Sequence, residues 1–327
     1  MMSRQLRITQ LDIENVGRFK RIILDFDAGV NVLCGANGVG KTSILDAVAS
    51  TVVGYNSNAF IRRRADAQGA GQISATLQFD GGNTDVGGAI SSFKPDEKLD
   101  GFGYAVAAPY LIYVRPSRDF TYVKKDSIKR DVDVSEFNQQ VRSYAGIAAD
   151  EIKDWFCNRY LMRPHGESWP VFRKTNLEVA ISLFGLLDHT VSLEGVDTST
   201  FDIVVSTSAG IIPYEYLSSG FRSSFAMILG IIKEIEYRRL DTSSTEFAGI
   251  ILVDEIDLHL HPTWQLKILD VFRSVFPNAQ LIVSTHSPHV VQSARSEEVT
   301  AIVVDDVNDP VVRRFETSAY GFLGWSI

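Results

Sequence analysis

The amino-acid sequence predicts an α/β fold in which a mixed, mostly parallel sheet is flanked by helices. The first observation is a glycine-rich loop that joins an apolar strand at residues 29–34 to a helix that starts near 43–49. The second is a set of apolar runs of strand length, each followed by polar residues, at 105–114, 247–253 and 279–283. Such runs are typical of parallel strands that are covered on both faces. Ligands of such sheets gather at the carboxyl ends of the strands.

The glycine-rich loop fits the phosphate-binding pattern G-x-x-x-x-G-K-[ST]. Its sequence from Gly35 to Ser43 is GANGVGKTS, and the strand before it and the helix after it argue against a chance turn. Glycines let successive backbone N–H groups turn inward around a polyphosphate, where the helix adds the positive end of its dipole. The lysine of this pattern reaches the β- and γ-phosphates, and the next hydroxyl ligates Mg²⁺. The predicted nucleotide-binding residues are Gly35, Asn37, Gly38, Val39, Gly40, Lys41, Thr42 and Ser43, with Thr42 also a metal ligand.

Composition and charge place the 327-residue chain among ordinary globular proteins. Hydrophobic residues make up 45% and charged residues 22%, and the length allows one large domain or two. The net charge of −8 argues against binding of polyanions over the whole surface, so a nucleic-acid contact would need a local basic patch. The chain has two cysteines, no signal-peptide core in its first ten residues and no apolar run of about 18 residues. We therefore expect a cytoplasmic protein without a membrane contact.

The N-terminal part is predicted to form an antiparallel β subdomain beside the phosphate loop. Apolar and polar residues alternate at 6–13 and at 22–26, as in half-buried strands. The turn between these strands carries Arg18 and Phe19, which could place a cation and a ring near a nucleotide base. An exposed hairpin turn explains the same residues equally well. The helix after the phosphate loop is predicted to end near Val53.

Residues 61–120 indicate further strands separated by glycine turns, with a regular alternation at 72–79. This part of the chain also contains the densest basic cluster, Arg62-Arg63-Arg64. A second basic group follows it at Lys124, Lys125, Lys129 and Arg130. Basic clusters are usually solvated faces, and a nucleic-acid contact stays open as an alternative.

The middle of the chain is predicted to be a compact helical insertion. Aromatic and apolar residues recur at helical spacing from 135 to 187, with a break at 163–166, and are most simply core residues. Strands return at 201–205, and a terminal hairpin is predicted near 300–315. The sequence thus predicts one composite domain with three parts, which are an N-terminal lobe, a mainly helical insertion and a C-terminal lobe at residues 1–120, 121–199 and 200–327.

Three polar side chains at strand ends are predicted to meet the phosphate loop. Asp254 and Glu255 end one apolar strand, and His286 follows another. At the carboxyl edge of a parallel sheet they would converge with Lys41. Asp254 is the natural Mg²⁺ partner, Glu255 is placed to polarise a water for in-line attack, and His286 could hydrogen-bond the γ-phosphate. Each residue alone could be a cap or a structural side chain, but their order together favours catalysis.

A second anion site is predicted at the segment Leu217-Ser218-Ser219-Gly220, which precedes a helix. Serine and glycine at a helix start can form a nest of N–H groups that binds an anion. The simple alternative is a helix cap made by Ser218 or Ser219. We count Ser218, Ser219 and Gly220 among the candidate nucleotide-binding residues.

Four motifs in a fixed order carry a family resemblance. They are G-x-N-G-x-G-K-T at 35–42, L-S-S-G-F-R at 217–222, I-I-L-V-D-E at 250–255 and S-T-H-S at 284–287. Together they resemble the ATP-binding-cassette (ABC) ATPase head, most closely the soluble branch of structural-maintenance-of-chromosomes, Rad50 and RecF heads. The run L-H-L-H-P-T-W-Q that begins at Leu258 is similar to the overcoming-lysogenization-defect ATPases. That group includes ATPase subunits of Septu-type and retron-associated anti-phage systems.

The resemblance implies a homodimer that holds ATP and Mg²⁺ between two copies. The segment 217–222 of one copy would cap ATP held by the loop of the other, with Ser218 and Gly220 at the γ-phosphate. It also implies that Glu255 is the general base, that His286 is a switch histidine and that residues 257–261 cross the interface. The family's glutamine loop cannot be assigned from the sequence, where Gln72 and Gln78 are the candidates. His259 and His261 alternate like a metal pair, but no further ligands stand at useful spacing.

The resulting prediction is a Mg²⁺-dependent ATPase whose dimerisation controls a separate effector, a nuclease or toxin, in bacterial anti-phage defence. No appended nuclease is recognisable in the sequence, so any cutting would belong to another polypeptide. One alternative is DNA maintenance in the manner of RecF or Rad50, with duplex DNA as the ligand. The other is a nucleotide-gated scaffold that does not hydrolyse ATP.

Overall fold

The structure is a computed structural model that describes most of the chain. The described residues are 4–53, 61–94, 102–116, 122, 124–127, 141–143, 146–307 and 309–314, with backbone alone at 149 and 150. Of the basic residues singled out in the sequence, Lys129 and Arg130 lie outside this set. No helix in the described ranges is long and apolar enough to cross a membrane.

Thirteen strands and seven α-helices make up the described part of the chain. The strands are β1 (Leu6–Val16), β2 (Phe19–Asp25), β3 (Val30–Cys34), β4 (Gly71–Phe79), β5 (Gly82–Ile90), β6 (Leu111–Val114), β7 (Ser192–Val196), β8 (Ile203–Thr207), β9 (Gly210–Pro213), β10 (Ile250–Val253), β11 (Gln280–Thr285), β12 (Val299–Val304) and β13 (Pro310–Arg314). The helices are α1 (Lys41–Val53), α2 (Ala149–Met162), α3 (Val171–Leu187), α4 (Ser219–Tyr237), α5 (Pro262–Gln265), α6 (Ile268–Val275) and α7 (Pro288–Ser293).

A six-stranded sheet forms the centre of the fold, in the order β13-β12-β3-β11-β10-β6. Its five strands from β12 to β6 run parallel, and β13 pairs antiparallel with β12 at one edge. The α/β fold class and the terminal hairpin are therefore confirmed. Because the parallel strands point the same way, the residues that follow β3, β6, β10 and β11 all lie at one edge of the sheet.

Successive residues of the central strands pack on opposite faces of the sheet. On β3, Val32 belongs to a core with the helices α2, α3, α4 and α6, whereas Leu33 belongs to a core with α1 and the antiparallel sheet. On β6, Val114 belongs to the same core as Val32, and Tyr113 belongs to the same core as Leu33. Two buried faces explain why these strands are continuous apolar runs in the sequence.

The predicted antiparallel β subdomain is a four-stranded sheet in the order β2-β1-β4-β5. A buried amide ties it to the central sheet. The Gln280 side chain accepts a hydrogen bond from the Ile8 N–H (2.9 Å) and donates to the Ile8 carbonyl (2.8 Å). The same NH₂ group also donates to the Asp27 carbonyl at 2.8 Å. The two sheets are thus joined by polar contacts that leave no unpaired amide atom on Gln280.

The helices α2 and α3 pack on α4 around an aromatic cluster. Trp155 and Phe156 are fully buried, and the Phe184 and Phe225 ring centroids lie 4.3 Å apart. The expectation of aromatic core residues is confirmed for Trp155 and Phe156, whereas Phe137 and Tyr144 lie outside the described residues. A small antiparallel sheet, β7-β8-β9, adjoins the helices, and its strand β7 was not foreseen because Gly195 interrupts a short, partly exposed stretch. The division of the chain at 120 and 199 stays a prediction.

A network of buried ion pairs fastens α4 to the helices beside it. Lys233 is fully buried and lies 2.7 Å from Glu151 and 2.9 Å from Glu234. Arg142 bridges the same two carboxylates, at 2.5 Å from Glu151 and 2.7 Å from Glu234. Burial alone would raise the pKa of Glu151, but hydrogen bonds and the charges of Arg142 and Lys233 outweigh it and lower the pKa to about 2.

We predict that Glu151→Gln destabilises the protein near neutral pH and that this effect disappears in acid. A depressed folded-state pKa contributes stability that is present above the ordinary value of 4.5 and is lost as the pH falls toward 2. The expected loss at pH 7 is about 2 kcal/mol in the free energy of unfolding. Urea unfolding at several pH values measures it, with the exposed Glu178→Gln as control. An equal loss at pH 7 and pH 3 would contradict the prediction.

Candidate functional site

The phosphate loop has the backbone shape that its glycines predict. Strand β3 ends at Cys34, and φ is positive at Gly35 (149°), Gly38 (74°) and Gly40 (106°). A Cβ at Gly35 would collide with the Ile302 carbonyl, and one at Gly40 would collide with the Phe19 ring. Both positions therefore require glycine for space as well as for φ.

The side chains of the loop differ in what they can offer a ligand. Asn37 and Thr42 are exposed, and Ser43 is partly exposed in the first turn of α1. The Val39 side chain is 2% exposed and packs in the core, so only its backbone can contribute to the predicted binding role. The loop is thus a cradle of backbone N–H groups at the start of a 13-residue helix, which suits a polyphosphate.

Lys41 is held over the loop by polar contacts. Its Nζ donates to the carbonyls of Gly35 (2.8 Å) and Ala36 (2.9 Å) and lies 3.2 Å from His286 Nδ1. Burial lowers the pKa of Lys41, and the nearby charge of Asp254 opposes this shift. A desolvated ammonium at the mouth of an N–H cradle is well placed to bind phosphate oxygens.

Asp254 is completely buried and joins three elements of the site. Its Oδ2 accepts a hydrogen bond of 2.8 Å from Thr42 Oγ1, and its Oδ1 accepts one from Ser284 Oγ. Ser284 Oγ in turn accepts from the Glu255 N–H at 2.7 Å. A hydroxyl and a carboxylate oxygen in contact are the ligand types that Mg²⁺ prefers. These two groups fit the predicted metal site.

The backbone changes from an extended to a left-handed conformation at Glu255, two residues after β10 ends. Its φ is 51°, a left-handed value that costs a non-glycine residue about 1 kcal/mol and persists only where the surroundings fix it. Ser284 fixes it through the Glu255 N–H, and the Ile256 N–H donates to the Ser284 carbonyl at 3.0 Å. The partly buried carboxylate therefore starts from the sheet edge beside Asp254, as the prediction for a general base requires.

His286 is anchored by a residue that the sequence analysis did not count as part of the catalytic set. The Asp257 carboxylate accepts from Thr285 Oγ1 at 2.5 Å and from the His286 N–H at 3.3 Å. Asp257 and Ser284 thus link the segment after β10 to the end of β11. Asp257 and Ser284 stand in the sequence motifs D-E-I-D and S-T-H-S, but their hydrogen bonds depend on the pairing of β10 with β11.

The turn before β2 also contributes to the phosphate loop. Arg18 is exposed, and its Nη1 donates to the Gly38 carbonyl at 2.7 Å. Phe19 is fully buried beneath Gly40. The cation therefore lies at the loop, as one of the two readings predicts, whereas the ring is a core residue and not a platform for a base.

The candidates for the glutamine loop lie away from the site. Gln72 and Gln78 are on β4 of the antiparallel sheet. The strand next to β10 at the functional edge is β6, and the residue that follows it is Arg115. The Asp254 N–H donates to the Val114 carbonyl at 2.9 Å, and Arg115 pairs with Asp46 of α1 at 3.1 Å. An arginine, and neither of the two candidate glutamines, thus follows the strand beside β10 at this edge of the sheet.

The signature segment, residues 217–222, packs against the chain at 259–264, which follows β10. Ser218 caps α4 by accepting a hydrogen bond from the Phe221 N–H at 3.3 Å, so the simple reading of a helix cap is observed. Ser218 and Ser219 are exposed, and Gly220 lies against the backbone of His259 and His261. Within the described chain, no hydrogen bond joins residues 217–220 to the phosphate loop.

The alternating histidines have local roles. His261 caps the short helix α5, where its side chain accepts from the Thr263 N–H, and His259 is exposed with a positive φ of 65°. No group of three or more potential metal-binding side chains occurs among the residues that the structure describes. Each arginine of the basic cluster at 62–64 hydrogen-bonds with backbone groups of the protein itself.

Comparisons with known proteins agree with this geometry. A family model described as "AAA domain, putative AbiEii toxin, Type IV TA system" matches residues 90–292, and one described as "AAA domain" matches residues 10–160. The solved structure of an SMC head bound to the C-winged helix domain of ScpA covers 94% of this chain, and the chain covers 97% of it. Its TM-score is 0.57 at 16% identity, so the likeness is one of fold.

Two relatives extend the similarity to nearly the whole chain. The "Retron Ec83 probable ATPase" of Escherichia coli is 22% identical over 388 residues, which cover 90% of this chain and 71% of the relative. The "Septu protein PtuA" of Bacillus thuringiensis is 36% identical over 326 residues, which cover 98% of this chain and 82% of the relative. The resemblance inferred from the four motifs is confirmed, and the chain belongs to the Septu PtuA family of ABC-type ATPases.

Proposed function

We propose that this protein is a Mg²⁺-dependent ATPase whose nucleotide cycle closes and opens a homodimer and thereby controls a separate effector. The observation that carries the proposal is the placement of Lys41, Thr42, Asp254, Glu255 and His286 at one edge of the central sheet. Among the described residues, no hydrogen bond joins the exposed Ser218 and Ser219 at the start of α4 to the phosphate loop. One copy then supplies the catalytic half of the pocket, and a second copy supplies the cap.

Bound ATP with Mg²⁺ supplies the phosphoanhydride that is cleaved and a cation that neutralises the phosphate oxygens. The residues of this chain bind the phosphates and the cation, orient the attacking water and accept its proton. The N–H groups of residues 38–42 and the Lys41 ammonium hold the β- and γ-phosphates, while Thr42 and Asp254 hold the cation. Glu255 accepts a proton from the attacking water, which it orients in line with the γ-phosphate. His286 donates a hydrogen bond to that phosphate.

Two exposed surfaces of the chain support the proposal of a dimer. The phosphate loop is exposed at residues 36–38, and the positive end of the α4 dipole at Ser218 and Ser219 is exposed elsewhere on the same molecule. Two such surfaces on one chain are complementary through a shared anion. A two-fold pair satisfies both at once, because each copy gives its cap and receives the other.

The defence setting and the effector rest on the similarity to Septu PtuA and to a retron ATPase. We propose that the effector is a nuclease or toxin on another polypeptide and that the dimer holds or releases it. A cytoplasmic location belongs to the same proposal, and it fits two free and buried cysteines, Cys34 and Cys157.

We predict that Glu255→Gln abolishes hydrolysis and traps an ATP-bound dimer. The amide keeps the size of the carboxylate but cannot accept the proton, so the rate of phosphate release should fall at least about 100-fold. ATP binding should persist, because the phosphate loop and Asp254 are unchanged. Phosphate release and light scattering with and without ATP and Mg²⁺ measure the two effects.

The matched control for this variant is Glu297→Gln, an exposed acid in the turn before β12, at the opposite edge of the parallel sheet, which should hydrolyse ATP at the parental rate. Retained turnover in Glu255→Gln would remove this residue from its proposed role. A parental protein that binds ATP without measurable turnover would favour the scaffold alternative.

We predict that Ser284→Ala slows hydrolysis while ATP still binds. The Ser284 hydroxyl joins Asp254 to the Glu255 backbone, so its loss removes one of the two hydrogen bonds to Ser284 that hold Glu255 in its left-handed conformation. We expect kcat to fall about 10-fold or more with KM changed less than about threefold. Steady-state kinetics test this prediction, with Ser293→Ala as a serine control. A rise in KM with kcat unchanged would contradict it.

We predict that Lys41→Ala removes protection against phage in cells that carry the chain with its neighbouring genes. Loss of the ammonium removes the main cation for the β- and γ-phosphates, so the dimer cannot assemble on ATP. Plaque counts on cells with parental and mutant genes measure the effect, with protein levels checked by immunoblot. Full protection by a stably expressed Lys41→Ala protein would refute a defence role that depends on nucleotide.

A further inference from the structure

A short 3-10 turn just before the signature segment reverses the usual pattern of burial. The turn spans Tyr214–Tyr216 and leads directly into Leu217 and the cap residue Ser218. Glu215 in its middle is only 8% exposed, whereas the aromatic Tyr216 beside it is 77% exposed. Carboxylates are almost never buried without a partner, and large aromatic rings are usually well covered. The turn therefore buries the charge and presents the ring.

Polar contacts fix the turn in this orientation. The Glu215 carboxylate lies 3.1 Å from Lys153 Nζ, and both side chains are almost fully buried. The Glu215 carbonyl accepts from Arg222 at 3.1 Å, and the Leu217 N–H donates to the Tyr214 carbonyl at 3.0 Å. A turn rotated to cover Tyr216 would expel Glu215 and leave Lys153 with one fewer partner. The ring is consequently held outward before any contact forms, which lowers the entropic cost of using it.

The position of the ring limits what it can reach. Only Leu217 lies between Tyr216 and Ser218, so their Cα atoms are at most about 7 Å apart. In the proposed dimer, Ser218 approaches the phosphate held by the loop of the other copy. The Tyr216 ring then lies at the rim of that copy's loop. The exposed groups on this rim are residues 36–38 and the Arg18 guanidinium, which is fixed on the Gly38 carbonyl.

We propose that Tyr216 is the aromatic anchor of the dimer and that its ring packs on Arg18 of a second copy of this chain. This inference rests on the proposed ATP-dependent dimer and names a contact within it. A planar guanidinium whose nitrogen is already hydrogen-bonded is a good partner for an aromatic face. Tyrosine and arginine are also the residue types that dominate interface energies. The contact couples the cap segment of one copy to the phosphate loop of the other.

The test is a double-mutant cycle in the Glu255→Gln background with saturating ATP and Mg²⁺. The dimer dissociation constant is measured by analytical ultracentrifugation for Tyr216→Ala, Arg18→Ala and the double variant. We expect Tyr216→Ala to raise it about 10-fold or more, and the double variant to be no weaker than the worse single variant. Tyr216→Phe should dimerise like the parent, because the ring makes the contact.

Two controls separate this contact from a structural effect. Ile211→Ala removes another exposed apolar side chain, 62% exposed on β9, and should leave the dimer unchanged. The thermal unfolding midpoint of Tyr216→Ala should equal that of the parent, because the ring is exposed in a single copy. A shift in that midpoint comparable to a core mutation would overturn the assignment.

The outcomes distinguish the inference from the proposed function. If the Glu255→Gln protein stays monomeric with ATP, both are overturned. If it dimerises and Tyr216→Ala dimerises equally well, the ATP-dependent dimer stands and the anchor is wrong. If the two single variants weaken the dimer by independent factors that multiply in the double variant, the ring does not contact Arg18.

Discussion

The site depends on one buried carboxylate and the two hydroxyls that it accepts from. Asp254 receives hydrogen bonds from Thr42 at the start of α1 and from Ser284 at the end of β11. It therefore ties the start of α1 to the ends of β10 and β11, which lie more than 200 residues later in the chain. A fully buried carboxylate is tolerated only with such partners. Because Ser284 also holds the Glu255 N–H, the same interaction sets the direction of the proposed base.

This arrangement explains how the surrounding frame holds the functional side chains in place. The strands that lead to the site are apolar on both faces and buried, so the position of each strand end is fixed by packing. Gln280 adds a fixed polar link from β11 to the antiparallel sheet that carries Arg18. The proposed catalytic side chains are therefore held in position before the reaction. Such preorganisation lets charged groups stabilise a phosphoryl group without rearranging.

Sequence reasoning predicted most residues of the candidate site because the motif residues stand at strand ends. The phosphate loop, Asp254, Glu255 and His286 each stand directly after an apolar run, and parallel topology does the rest. The features that sequence reasoning missed are defined by contacts between parts of the chain that are distant in sequence. Arg115 follows β6 without any motif, and it becomes part of the functional edge only because β6 pairs with β10. The strand β7 escaped because its residues are half exposed and its pairing with β8 is interrupted at Gly195.

The buried charges of α4 bear on how the cap segment is presented. Lys233 and Glu234 near the end of this helix are paired inside the protein, and Ser218 and Ser219 at its start are exposed. Replacing such pairs by apolar residues often leaves stability unchanged or raises it, so stability alone is a weak reason for them. What they do specify is register, because a helix shifted by one residue would strand a charge in the core. The cap segment at the start of α4 is thereby held at a fixed height relative to α2, which carries Glu151.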